Sequence, residues 1–370
     1  MSRPNVILVL GAGATVGAGF KVRHDGELLN PPTDRDFFEN GAVRRIFTVE
    51  RYPVLKHYRQ GKALEELWAK VDLYHKLCCS AVISEEHTLL SLSNKIEERS
   101  QSDQAYRRKM EQERRSWCVP SLGGWELLDL VREVFNGLIH RQPKESPLHK
   151  LISRLRGEGL MDGVVTFNYD TSVEQLFPVC FYYPRLSDDE TKTKLPLIKL
   201  HGSLNWQTQV GSKTGSKTLP TTSAMRPIRE LAEMDHGYGW YKQPEVIGPT
   251  FFKQEINLDI QDDFRARYYK DLWRFAWDKL RRASHLLFVG FSFQPTDFHA
   301  SALFRTAHLS GKGISRAVLW YKKSREDRRL GSRAREVFAG GRSKVQFKEC
   351  DEGLESMADR LDELIAILQH

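Results

Sequence analysis

Residues Asn5–Gly17 read NVILVLGAGATVG. An unbroken apolar run closed by Gly11 is the pattern of a strand covered on both faces, as in a parallel sheet between two helix layers. Comparable runs recur at GVVTF (Gly163–Phe167), PLIKL (Pro196–Leu200), EVIGPT (Glu245–Thr250), HLLFVG (His285–Gly290), AVLWY (Ala317–Tyr321) and KVQFKEC (Lys344–Cys350). Helical spacing lies between many of them. FRARYYKDLWRFAWDKLRRA (Phe264–Ala283) brings Tyr269, Leu272, Phe275, Ala276 and Leu280 to one side, and Leu354, Met357, Leu361, Leu364 and Ile365 do the same near the end of the chain. This alternation predicts an α/β fold, a doubly wound, mainly parallel Rossmann-like sheet.

Between residues 33 and 157 the alternation lapses into helix-period runs. DFFENGAVRRIF, ALEELWAKVDLYHKL and GWELLDLVREVFNGLIH are the clearest, the last with Leu127, Leu128, Val131, Phe135, Leu138 and Ile139 on one apolar face. The expected organisation is an α/β domain of residues 1–32 and 158–370 with a large helical insertion subdomain, 33–157, after the first strand. Residues 95–117 are dense in both signs of charge and suit a solvated helix face or a docking arm. Gln207–Arg226, rich in Gly, Ser, Thr and Lys, is expected to be a long loop. The chain has no internal repeat.

With 40% hydrophobic and 28% charged residues, the chain can bury a core and lies far from disordered compositions. Its net charge of +8 suits an anionic partner such as a nucleotide, a nucleic acid or an acidic protein surface. Cys78, Cys79, Cys118, Cys180 and Cys350 include no C-x-x-C pair, so neither a disulfide framework nor a zinc site is expected. No run of 18 apolar residues suggests a membrane span, and a Gly-rich turn stands where a secretory signal would continue. The expected location is cytoplasmic.

Four strand ends carry polar or small residues. After the first strand, Gly11 and Gly13 permit a tight turn and close approach of a ligand, and a helix N-terminus follows, which suits a phosphate or a purely structural turn. The third glycine of G-x-G-x-x-G is replaced by Val16, and no acid ends a second strand about 20 residues on, which disfavours a dehydrogenase-type site. In TFNYDTSVEQLF (Thr166–Phe177), Asp170 or Thr171 can cap a helix, with Glu174 completing a capping box from Thr171. That leaves Asn168 unexplained at the carboxyl end of its strand, the edge where open α/β sheets bind ligands. LIKLHGSLNW ends a strand on His201 and Gly202; FVGFSFQPTDF follows a strand with Gly290 and Ser292, then opens a helix near Pro295 and Asp297. Four such ends in one sheet should converge on one crevice.

Taken together, these motifs resemble the sirtuin (Sir-two-like) family: a G-A-G-x-[ST] turn at Gly11–Thr15, Asn-x-Asp at Asn168–Asp170, His-Gly at His201–Gly202, and a late Gly-x-Ser at Gly290–Ser292, in that order. IGPTFFKQE (Ile247–Glu255) looks like the segment preceding the last part of the nucleotide fold. The resemblance implies that NAD is the substrate, with Asn168, Asp170 and His201 at the reaction centre. It implies that Gly11, Ala12, Gly13, Thr15, Gly202, Gly290 and Ser292 bind the nucleotide. Deacylating sirtuins carry a four-cysteine zinc module between the His and the late glycine motif, and His201–Gly290 contains no cysteine. The chain is therefore similar to the zinc-less bacterial antiphage-defence NADase branch, which implies NAD hydrolysis without a metal, a homo-oligomer, and a partner sensor or ATPase. Other readings are a protein deacylase or ADP-ribosyl transferase, a non-catalytic NAD or ADP-ribose sensor, and nucleic-acid binding.

Overall fold

A computed structural model describes residues 4–59, 61, 63–79, 94–99, 101, 119–184, 194–209, 224–227, 245–246, 264–294, 297–311, 314–322, 329–340 and 344–369. The chain divides into two compact units, one of 1–21, 139–247 and 253–370, the other of 22–138 with 248–252.

Among the described residues, the main sheet of the first unit has seven strands: β1 (Val6–Leu10), β2 (Met161–Thr166), β3 (Phe181–Tyr182), β4 (Leu195–Lys199), β5 (His285–Val289), β6 (Arg316–Trp320) and β7 (Gln346–Cys350). Their order is β7-β6-β5-β1-β2-β4-β3, every neighbouring pair parallel. β1 is central: the chain winds outward through β2 on one side, then returns to β5 on the other. The topological switch point, where open α/β sheets take ligands, is therefore the crevice beside β1.

The apolar runs form strands because both faces are covered. Ile7, Val9, Val165, Ile198, Leu286 and Phe288 face a core completed by helices Phe264–Arg282, Phe298–Ser310 and Leu330–Val337. The alternate residues Val6, Leu8, Val164, Leu287 and Val289 are buried as well. Helix Pro147–Gly157 packs on β2 and against helix Leu361–Gln369. EVIGPT does not join this sheet: Glu245–Val246 pairs antiparallel with Gly202–Ser203, and the rest of the run lies outside the described residues.

The second unit is largely helical, with helices Gly41–Ile46, Pro53–Tyr58, Leu64–Cys79 and Val119–Asn136. It starts earlier than residue 33. A hairpin of Glu27–Leu29 on its preceding strand turns at Asp25 and Gly26, both with positive φ, as a two-residue Asp-Gly turn requires. Glu126, fully buried, accepts the Leu55 amide at 2.9 Å in the first turn of helix Pro53–Tyr58. From the mixed-charge segment, Arg99 is buried, bonded to Asp129 at 3.0 Å, with its guanidinium 4.9 Å from the Tyr52 ring centroid; residues 102–118 and most of the loop 207–226 lie outside the described residues.

His308, in helix Phe298–Ser310, is buried against the Phe338 ring, and neither ring nitrogen has a hydrogen-bonding partner among the described residues. Burial holds its basicity below the ordinary histidine value. The unfolded chain therefore binds the proton more readily, and this site loses stability as pH falls below about 6.5. Replacing His308 with Leu is expected to raise stability by about 1 kcal/mol and to flatten the acid limb of a thermal-melt series between pH 7 and 5.

Candidate functional site

The strand registers bring four strand ends level. Leu10 lies opposite both Val289 and Thr166, and Thr166 opposite Lys199. The polar ends noted in the sequence thus follow β5, β1, β2 and β4, four consecutive strands at the switch point.

The two glycine turns interlock. Gly11 donates its amide to Val289 O at 3.1 Å, and Gly13 donates to Gly290 O at 3.2 Å. A Cβ at Gly11 would lie 2.5 Å from Gly290 O, and one at Gly290 would lie 2.2 Å from Ala14 N. Gly290 also adopts φ +59°, which favours glycine. The sequence suits the turn after β1 to a phosphate or to a purely structural role; the amides of Gly11 and Gly13 are engaged with the end of β5. Ala12 opens the short helix Ala12–Gly17, and Thr15 is buried within it.

Thr15, Asn168 and Asp170 are joined directly. Asn168 donates Nδ2 to Gly11 O at 2.9 Å and to Thr15 Oγ1 at 3.2 Å, and Thr15 donates its hydroxyl to Asp170 Oδ2 at 2.8 Å. Asp170 Oδ1 accepts the Ser172 amide at 2.9 Å, so Asp170 caps helix Ser172–Leu176. Thr171 makes no side-chain cap bond, and the Thr171–Glu174 capping box does not form. Glu174 instead accepts from Lys199 Nζ at 2.8 Å, a long-range partner that local spacing cannot reveal.

Residues 167–170 send alternate side chains to two sides. Asn168 and Asp170 face Thr15. Phe167 and Tyr169 hold His201, the first edge-on at 5.2 Å and the second stacked at 6.0 Å between ring centroids. His201 Nε2 lies 3.6 Å from Asp297 Oδ2, both side chains buried. Asp297 also caps helix Phe298–Ser310, its Oδ1 accepting the Ala300 amide at 3.2 Å. An acid at this distance stabilises a protonated imidazole. The sequence marked Asp297 only as a helix start; its place beside His201 emerges from the fold.

Gly202 takes φ +77° and begins the short strand paired with Val246. Ser292 is half-buried between Phe291 and Phe293. Phe293 is itself left-handed at φ +47°, a conformation that costs a bulky residue about 1–3 kcal/mol, and the rings of Phe288 and Phe291, each 4.9 Å away, pack on it. Pro295 and Thr296 lie outside the described residues. Among the described residues, no group of three or more His, Cys, Asp or Glu is arranged to hold a metal, and no helix is long and apolar enough to cross a membrane.

Residues 162–337 match the family model of the SIR2-like domain. No curated protein sequence matches the chain. Similar solved structures include Sir2Tm bound to a propionylated peptide, at 11% identity over 99% of this chain and 95% of that one with a TM-score of 0.40. A Sir2–p53 peptide–NAD+ complex is 12% identical over 99% and 95%, with a TM-score of 0.39. Both likenesses are loose; the strand order carries the fold assignment.

Two substitutions probe this architecture. Gly290→Ala is expected to lower stability by about 2–4 kcal/mol in urea unfolding, from positive φ and overpacking against the Gly13–Ala14 peptide. Asp297→Asn keeps a helix cap but removes the charge beside His201, so thermal unfolding should shift by no more than a few degrees. Any reaction that protonates His201 should slow about tenfold or more, as read by initial rates.

Proposed function

We propose that this protein cleaves the bond between nicotinamide and ribose in NAD, releasing nicotinamide and ADP-ribose, in the zinc-less manner of the antiphage-defence NADases its motifs resemble. One observation carries the proposal: Thr15, Asn168 and Asp170 form a single buried hydrogen-bonded group at the sheet's switch point, with the His201–Asp297 pair flanking the same four-residue segment. The SIR2-like match over residues 162–337 supports NAD as substrate. The lack of any cysteine between His201 and Gly290 argues against the zinc-bearing deacylase design.

The chemistry asks little acid assistance, because nicotinamide leaves NAD as a neutral molecule from a cationic ring. The site must shelter a cationic ribose and deliver water to it. With Nδ2 engaged by Gly11 O and Thr15, the Asn168 amide oxygen is the end suited to accept a hydrogen bond from that water. His201 would take the proton the water sheds, and Asp297 would stabilise the imidazolium formed. Asp170 has both oxygens engaged but retains lone pairs, so it can hold Thr15 in place and still accept from the carboxamide of nicotinamide.

In the cell we place this activity in the cytoplasm, as a defence effector that depletes NAD, working as a homo-oligomer with a measurable basal rate that a partner sensor or ATPase raises. Incubating the purified chain with NAD and following free nicotinamide tests the reaction. Wild type is expected to turn over without any acyl peptide. Asn168→Ala and His201→Ala should each lose at least about a hundredfold in rate, with melting temperatures within a few degrees of wild type. Wild-type rates in both variants would remove these residues from the mechanism; release only with an acyl-lysine peptide would favour deacylation; binding without release would favour a sensor.

A further inference from the structure

The segment that carries Asn168 and Asp170 is gripped by polar side chains that the reaction scheme does not use. Lys199 donates Nζ to the Asp170 carbonyl and, at 2.8 Å, to Glu174 Oε1. The same Glu174 oxygen accepts the Tyr183 hydroxyl at 2.8 Å, and Tyr183 in turn accepts from Asn205 Nδ2 at 3.1 Å. The Ser203 hydroxyl donates to Asn205 Oδ1 at 2.5 Å, and the Leu204 amide between these two residues donates to the Tyr169 carbonyl at 3.0 Å. The path leaves the Asp170 carbonyl and returns, through the Leu204 peptide, to that of Tyr169, one peptide away: it is a closed ring.

From this ring we infer that Lys199, Glu174, Tyr183, Asn205 and Ser203 form a positioning clasp for the candidate active site. Three features support the inference, which rests on the proposed reaction for its effect on rate. Lys199, Ser203 and Asn205 are buried, Lys199 at 1% exposure, and pairing with the partly exposed Glu174 chiefly offsets the cost of burying the lysine charge, so the use of the pair lies in fixing geometry. The Tyr183 phenol is pushed well above its ordinary value by burial and by the Glu174 charge, so it remains a hydrogen-bond donor. Finally, the two carbonyls held belong to the residues that set both sides of the site, since Tyr169 stacks on His201 and Asp170 holds Thr15.

The clasp also joins the strand ends of β2 and β4. Glu174 and Asp170 follow β2, Lys199 ends β4, and Ser203 and Asn205 follow His201. A shift of the Asn168 side relative to His201 therefore requires the ring to open. Displacement on the order of 1 Å at a reacting centre can cost about a hundredfold in rate.

Tyr183→Phe opens the ring with almost no change in volume, and Glu174→Gln retains an oxygen that can accept from both Lys199 and Tyr183. Amide hydrogen exchange read by mass spectrometry is the primary measurement, with nicotinamide release beside it. Arg154→Ala, which breaks an exposed pair with Asp362, serves as a control. In Tyr183→Phe, exchange across residues 166–176 should quicken about tenfold or more while the peptide covering β5 stays at the wild-type rate. Turnover should fall about tenfold or more. Glu174→Gln should keep the greater part of both, and Arg154→Ala should match wild type. Unchanged exchange across 166–176, uniform quickening that includes β5, or faster local exchange with wild-type turnover would each overturn the clasp. If wild type releases no nicotinamide, the proposed reaction fails on its own, and local quickening in Tyr183→Phe still upholds the clasp as a structural device.

Discussion

At the carboxyl ends of β1 and β5 two backbones meet with no space for a side chain: Gly13 hydrogen-bonds to Gly290 O, and a Cβ at Gly11, Gly13 or Gly290 would lie within 3.0 Å of the opposing backbone. This contact fixes the turn after β1, and the rest of the site is assembled on that turn. Gly11 O receives the Asn168 amide, and helix Ala12–Gly17 presents Thr15 to Asn168 and Asp170. The glycines therefore serve the fold before they serve any ligand. A residue with a side chain would part the two strands at the point where a doubly wound sheet opens to its ligand.

From that fixed turn the segment Phe167–Asp170 divides the site in two. Its polar side chains join Thr15, and its aromatic ones seat His201, whose ring approaches Asp297. One stretch thus spaces a polar group and a histidine. Asp170 and Asp297 each combine a helix cap with a contact to a site residue, so the start of each helix is tied to the placement of the chemistry. Such double duty leaves few substitutions that are neutral at either position.

Much of this was legible in the sequence, for physical reasons. Strands buried on both faces must be apolar throughout, so NVILVL, GVVTF and HLLFVG declared a parallel sheet. Polar residues that end such strands have to face a cap or a ligand, which singled out Asn168, Asp170 and His201. What local pattern could not supply was partnership across the fold. Glu174 stands at capping-box spacing from Thr171, yet it bonds to Lys199 and Tyr183, which only β4 and the chain after β3 bring near. EVIGPT has the composition of a core strand, but its described part pairs with Gly202–Ser203 instead. The helical insertion was read from periodicity as 33–157, whereas compactness draws the second unit at 22–138, because the Asp25–Gly26 hairpin and helix Pro147–Gly157 are assigned by packing and not by period.

The central claim is that this arrangement delivers water to the ribose of NAD. Incubation with NAD in 18O-labelled water, followed by mass spectrometry of the ADP-ribose, addresses it most directly. The account predicts one 18O atom per ADP-ribose formed, with nicotinamide released in equal amount. Absence of nicotinamide release, or release with the ribose passed to an acceptor other than water, would contradict it.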